Sequence, residues 1–343
     1  MSVAAGSPGD LPRGEGSRAD APRPLDRGLL PSDQFFFGSS YAVGTTVLLI
    51  TGLIGLFLFL QLVPTLRTYG LSFFTQENWL PDVKEVGVAS ALVGTFEVAA
   101  VAIVVSVPLA LLTAIYISEY APRWLKGSLV SLIDLMAAVP SIIYGLWGFF
   151  LLEPYAAEVT RWLSTYLGWF PPFHVDTDTH APVVPLATRY FGSTTIAGLV
   201  VSMMVIPMAC AVMRGVFAQA PPGEREGALA LGATRWGVIR AVVLPFGRGG
   251  IIGGTMLGLG RALGETVAVL LIVSPVFTIN INILQTGSIT VAALIAARFG
   301  ESTPDQLSAL LAAGFVLFAI TLMVNMVAAV FITRSRSGSA TEL

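Results

Sequence analysis

Six apolar stretches, each long enough to cross a bilayer, constrain this chain more than any other feature: 43–63, 91–117, 129–152, 194–217, 251–273 and 307–332. A transmembrane helix needs about 20 mostly apolar residues, whereas the strand of a membrane barrel alternates over roughly ten. These stretches do not alternate, so the sequence predicts an all-α integral membrane protein with six transmembrane helices. Only 12% of the residues are charged, about half the share found in soluble domains. The single cysteine, Cys210, lies inside an apolar stretch and excludes an intrachain disulfide. A net charge of −2 argues against a nucleic-acid partner.

An even number of spans puts both termini on one side, and positive charge is retained in the cytoplasm. With the termini inside, thirteen Lys and Arg residues fall on inner segments and five (Arg67, Lys84, Arg161, Arg189 and Arg298) on outer ones. Both termini are therefore expected in the cytoplasm. Residues 1–33 are rich in Gly, Pro, Arg and Asp and read as a disordered cytoplasmic tail, with a short second tail at 334–343. The membrane-spanning body would then occupy 34–333. Phe35, Phe36 and Phe37 either anchor the chain at the headgroup level or simply begin the first helix.

The fifth stretch carries two charges, Arg261 and Glu265, near its centre. A charge at that depth costs several kcal/mol unless it is paired or faces water. Spaced four apart, the two share one face of a continuous helix and can pair. Gly250, Gly254 and Gly258 recur at spacing four, as do Gly260 and Gly264, which favours close approach of neighbouring helices. Three roles stay open for the pair: an anion pathway, a buried structural bridge, or a seam with a partner subunit.

Pro108, Pro140 and Pro207 fall in the second, third and fourth stretches, and prolines in lipid mark helices that pack internally or line a cavity. Beside Pro140, Ser141 and Tyr144 offer hydroxyls to a pathway or to the kink itself. Asp134 and Glu97 read as solvated near the two interfaces. The outer loop 153–191 contains His174, Asp176, Asp178 and His180, which are ordinary metal ligands, but nothing fixes their geometry. A solvated loop is the preferred reading, and no metal site is assigned.

The inner loop 221–245 is the most polar inner segment. Pro221 and Pro222 followed by Glu224 and Glu226 open a helix, because Pro suits the first turn and acids suit the positive dipole end. Gly232 is placed to end it, Thr234 to cap the next helix, and Pro245 to stop that one. Gly227 and Ala228 leave one side of the first helix without bulk, which suits insertion into a partner's groove.

Glu226-Gly227-Ala228, then Gly232, Val242, Leu244 and Pro245, resembles the signature loop of ABC importer permeases, with Gly227 and Val242 as the departures from that pattern. The segments Ser118 to Trp124, Ala138 to Gly148 and Gly258 to Val269 are similar to PstC-type permeases of the phosphate-specific importer, and the Thr266 continuation favours phosphate over sulfate or molybdate. The resemblance covers residues of about 33 to 333. It implies a type I ABC importer permease fold, a second homologous PstA-type permease, two PstB-type ATPase subunits and an external PstS-type phosphate-binding protein in a bacterial inner membrane. It makes Glu226, Gly227, Ala228, Gly232, Leu244 and Pro245 the ATPase-coupling residues. The substrate-pathway candidates are Arg261, Glu265, Thr266, Ser141 and Tyr144.

Lys84 and Lys126 are the only lysines, and neither stands in a glycine-rich phosphate loop, so the chain is read as non-catalytic, without cofactor, and driven by a partner's ATP hydrolysis. Other readings are a permease for another oxyanion, a phosphate-sensing membrane scaffold, and a secondary transporter, whose two halves would usually repeat.

Overall fold

A computed structural model describes residues 31–83, 85–175 and 186–335. Most of both expected tails, and Asp176, Asp178 and His180 of the outer loop, lie outside the described residues. The chain divides into two units between Gly52 and Leu53, inside the first helix, α1 (Pro31–Tyr69). In the smaller unit, the described part is the first half of α1, with Phe35, Phe36 and Phe37 at least half exposed.

The larger unit is a helical bundle built around α2 (Ala89–Ile115), α6 (Thr194–Phe217) and α9 (Leu244–Leu263). Small residues let α2 and α6 approach: a Cβ on Gly198 would stand 2.6 Å from Val101 Cβ. α6 is the innermost helix, with 67% of its most apolar window buried against 22% for α12 (Pro304–Ser335). Its start is fixed by the Ser193 hydroxyl, which accepts the Ile196 amide at 3.4 Å. Pro108 and Pro207 remain inside unbroken helices.

Gly247, Gly250, Gly254 and Gly258 turn one face of α9 toward α6. A Cβ on Gly250 would lie 2.6 Å from Val216 Cβ, and one on Gly254 3.0 Å from the Ala209 carbonyl oxygen. The other glycine pair differs. A Cβ on Gly260 would meet only Asn325 at 3.8 Å, so the tight seam belongs to the first set. Gly250→Leu is expected to cost at least about 1–3 kcal/mol by overpacking, read as a lower thermal midpoint in detergent. An unchanged midpoint would show that α6 and α9 can separate freely here.

Among the described residues, five helices are long and apolar enough to cross a membrane, and six if α3 (Arg123–Ala138) is joined to the helix Ser141–Leu167 as one span bent by 91°. The expected third span, 129–152, is thus a sharp break and not a continuous helix. Within Ser141–Leu167, α4 (Ser141–Trp147) passes through a π-type turn, Gly148–Leu152, into α5 (Glu153–Leu167). The cause is Pro140, which has no N–H for the Met136 carbonyl four residues back. The Tyr144 hydroxyl donates to that carbonyl at 2.8 Å, joined by the Val139 amide at 3.3 Å.

The fifth span also differs from the continuous helix expected over 251–273. α9 ends at Leu263, residues 264–266 are non-helical, and α10 (Val267–Ile272) resumes. At its other end Pro245 stops nothing. α8 (Arg235–Val238) passes through a π-type turn, Ile239–Val243, directly into α9, giving one helical rod, Arg235–Leu263. The Leu244 amide bonds back to Ile239, five residues earlier. This wide turn shifts the ladder just where the missing Pro245 N–H would otherwise have broken it. A two-stranded antiparallel ribbon, β1 (Trp79–Leu80) and β2 (Glu85–Val86), links α1 to α2. α11 (Val291–Arg298) lies between α10 and α12 in sequence, and the buried Thr95 hydroxyl of α2 accepts its Val291 amide at 3.0 Å.

Candidate functional site: a charged helix break tied to a surface loop

Arg261 closes the last turn of α9, where the carbonyl end of the helix dipole favours a cation. Glu265 lies within the break, and its Oε1 accepts the Ala268 amide of α10 at 3.3 Å. Its Oε2 lies 3.6 Å from Arg261 Nη2. The two residues do pair, but between the end of one helix and the non-helical break after it. The pair is asymmetric: the Glu265 side chain is 5% exposed and the Arg261 side chain 41%. The carboxylate is fixed by α10, while the guanidinium retains donors that face open space.

Thr266, beside them, gives its hydroxyl to the Gly264 carbonyl at 3.2 Å. Ser141 and Tyr144 sit on α4, which packs on α10; a Cβ on Gly145 would be 2.9 Å from Ala268 Cα. Tyr144 is already engaged with Met136, so its hydroxyl serves the proline break in this conformation. Tyr144→Phe is expected to lower thermal stability by about 1–2 kcal/mol, because it leaves a carbonyl under-satisfied. Detergent melting curves check this. An unchanged melt with impaired uptake would return Tyr144 to the pathway.

In the loop, α7 (Pro222–Ala230) ends as expected at Gly232, whose φ is +84°. The Ala233 amide reaches the Ala228 carbonyl at 3.1 Å and the Gly232 amide reaches Leu229 at 2.9 Å, the paired bonds of a Schellman turn. Thr234 then caps α8 by accepting the Gly237 amide at 3.1 Å. α7 buries no residue of its own, and a Cβ on Gly227 would meet nothing within 4 Å. Leu229, Leu231 and Trp236 are all more than half exposed, and Glu226 on the same loop is exposed as well. Leu244 and Pro245 lie in the first turn of α9, where they join the loop to the rod.

Among the contacts that sequence reasoning missed are three that involve charged side chains at the ends of bundle helices. Asp134 is paired with Arg214 of α6 at 3.6 Å. Glu153 is buried and accepts the Gly192 amide at 2.7 Å. Arg225 of α7 binds Glu119, in the π-type turn Tyr116–Tyr120 that ends α2, at 3.1 Å. Partners separated by tens of residues leave no periodic trace. The one available hint was that Glu119 falls within a segment already notable for its family resemblance.

The architecture, with a surface loop feeding a broken, charged interior helix, defines a membrane-embedded transport subunit. An ABC transporter that imports the polysaccharide alginate shares the fold with a TM-score of 0.57 at 15% identity, over 88% of this chain and 96% of that one. Residues 106–337 match the family described as binding-protein-dependent transport system inner membrane component. The phosphate transport system permease protein PstC 2 of Mycobacterium tuberculosis is 40% identical over 307 residues, 88% of this chain and 91% of that protein. PstC of Haemophilus influenzae is 39% identical over 271 residues, 79% of this chain and 83% of its own length. The chain belongs to the binding-protein-dependent permeases of multi-pass inner membrane transporters and, within them, to the PstC group.

Proposed function

We propose that this chain is one of two permease subunits of an importer that brings inorganic phosphate into a bacterial cell. The observation that carries the reading is the rod Arg235–Leu263, which starts at the α7 loop and ends at Arg261. A movement imposed on the loop is thereby delivered to the charged break without a flexible joint. The PstC names of the relatives favour phosphate as the ion.

In this reading both termini are cytoplasmic, and α7 docks on a PstB-type ATPase through Leu229, Leu231 and Trp236. A PstA-type permease completes the pathway, and a PstS-type protein delivers phosphate from outside. Two ATPase subunits hydrolyse ATP and drive the switch between inward-facing and outward-facing states; this chain does no chemistry. Arg261 suits the anion because its planar donors match two phosphate oxygens and its charge persists at any relevant pH. Glu265, held by α10, competes for the same guanidinium and keeps the ion from binding too tightly to leave.

The test is uptake of labelled phosphate by the four-component complex in liposomes, with and without ATP, against competing arsenate, sulfate and molybdate. ATP-dependent uptake that sulfate and molybdate leave unaffected is expected. Uptake independent of ATP, or stronger transport of sulfate, would overturn the assignment.

A further inference from the structure

We infer that Arg225 and Glu119 form a second mechanical link, a latch that carries α7 motion into α2 and α6 in parallel with the rod that carries it into α9. The inference rests on the coupling reading above. Arg225 Nη1 lies 3.1 Å from Glu119 Oε1 and donates to Oε2 at 3.3 Å, while Nη2 donates to the Phe217 carbonyl at the end of α6 at 2.5 Å. One guanidinium thus holds the ends of two helices, α2 and α6, which form the centre of the bundle. Glu119 is itself oriented by the Ser118 hydroxyl at 2.7 Å, and Lys126 reaches the Ser118 carbonyl at 3.5 Å.

Four further features make this a transmitting contact and not an incidental surface pair. α7 buries no residue fully, so apolar packing fastens it only weakly to the bundle, and the guanidinium contacts supply a grip. The pair is also sheltered, with side-chain exposures of 24% for Arg225 and 13% for Glu119, where water and salt weaken it less than at an open surface. Arg225 Nε is buried with no hydrogen-bond partner in this conformation. A rotation that satisfied it would release Glu119 or Phe217, which gives the contact a second geometry to occupy when α7 moves. A planar fork that addresses a carboxylate and a carbonyl at once is a geometry lysine does not reproduce.

The experiment uses the full complex in liposomes and measures phosphate imported per ATP hydrolysed, together with co-purification of the ATPase. Glu119→Gln, Arg225→Gln and the charge-retaining Arg225→Lys are each expected to leave the ATPase bound while import per ATP falls roughly tenfold. The exchange Glu119→Arg with Arg225→Glu restores the ion pair but not the donation to the Phe217 carbonyl, so it is expected to recover part of that ratio relative to Arg225→Gln, which a loss of folding could not produce. If Glu119→Gln fails to assemble, Arg225→Lys carries the test, since it keeps the charge and most of the bulk. An unchanged ratio in Arg225→Lys and Arg225→Gln overturns the latch.

Leu231→Asp on the exposed side of the loop separates this failure from that of the coupling reading. If Leu231→Asp releases the ATPase while the Arg225 variants transport normally, only the latch falls. If Leu231→Asp leaves both binding and transport intact, the docking assignment falls with it.

Discussion

Arg261→Gln is expected to cut ATP-driven phosphate uptake severely while the four-component complex still assembles. Truncating one member of a charge pair whose partner is buried costs about 2–5 kcal/mol. Since the Arg261 side chain is 41% exposed, the lower part of that range applies, and with tenfold per 1.4 kcal/mol this is a loss of roughly 30- to 100-fold. Part of the cost is the stranding of Glu265, which is 5% exposed at its side chain and bound to the Ala268 amide. Arg261→Gln combined with Glu265→Gln removes the stranded charge. It is therefore expected to restore thermal stability without restoring uptake, because the phosphate-binding fork is still missing. Uptake of labelled phosphate together with melting curves separates the two effects. Normal uptake by Arg261→Gln would remove the residue from the pathway and leave the pair a structural bridge.

Gly232→Val is expected to uncouple hydrolysis from transport. The residue has φ of +84°, and a Cβ there would meet nothing within 4 Å. The penalty is therefore one of backbone conformation and not of collision. An ordinary side chain in this region costs about 1–2 kcal/mol, and a β-branched one is a genuine outlier. The Schellman bonds of Ala233 and Gly232 would yield, and the angle between α7 and the rod Arg235–Leu263 would change. The ATPase is expected to stay bound through Leu229, Leu231 and Trp236 while phosphate imported per ATP falls about tenfold. Gly227→Ala is the matched control: a Cβ there also meets nothing, φ is helical, and transport should be close to wild type. Full transport by Gly232→Val would show that the turn does not transmit force.

The sequence by itself determined what depends on neighbours within a few turns. Apolar length announced helices in a membrane, and α6 begins and ends where the apolar stretch does, at Thr194 and Phe217. Gly232 and Thr234 were legible because a left-handed turn and an N-cap are local hydrogen-bonding problems with few solutions. Arg261 and Glu265 were legible as a pair because charge in an apolar stretch is costly wherever it lies. Proline was read less well, since its effect depends on what satisfies the carbonyl it frees. Pro140 breaks a helix that Tyr144 repairs, Pro108 and Pro207 sit within continuous helices, and Pro245 is absorbed by a wide turn.

Tertiary structure alone decided the rest. It placed Arg261 in the last turn of α9 and Glu265 inside the break that follows, fused α8 with α9 into one rod, and joined Arg225 to Glu119 and Arg214 to Asp134. Such pairings are fixed by which helix ends the bundle brings together, and that follows from the fit of small residues such as Gly198 against Val101 and Gly250 against Val216. A linear reading records the sizes of those residues but not the partner each will meet.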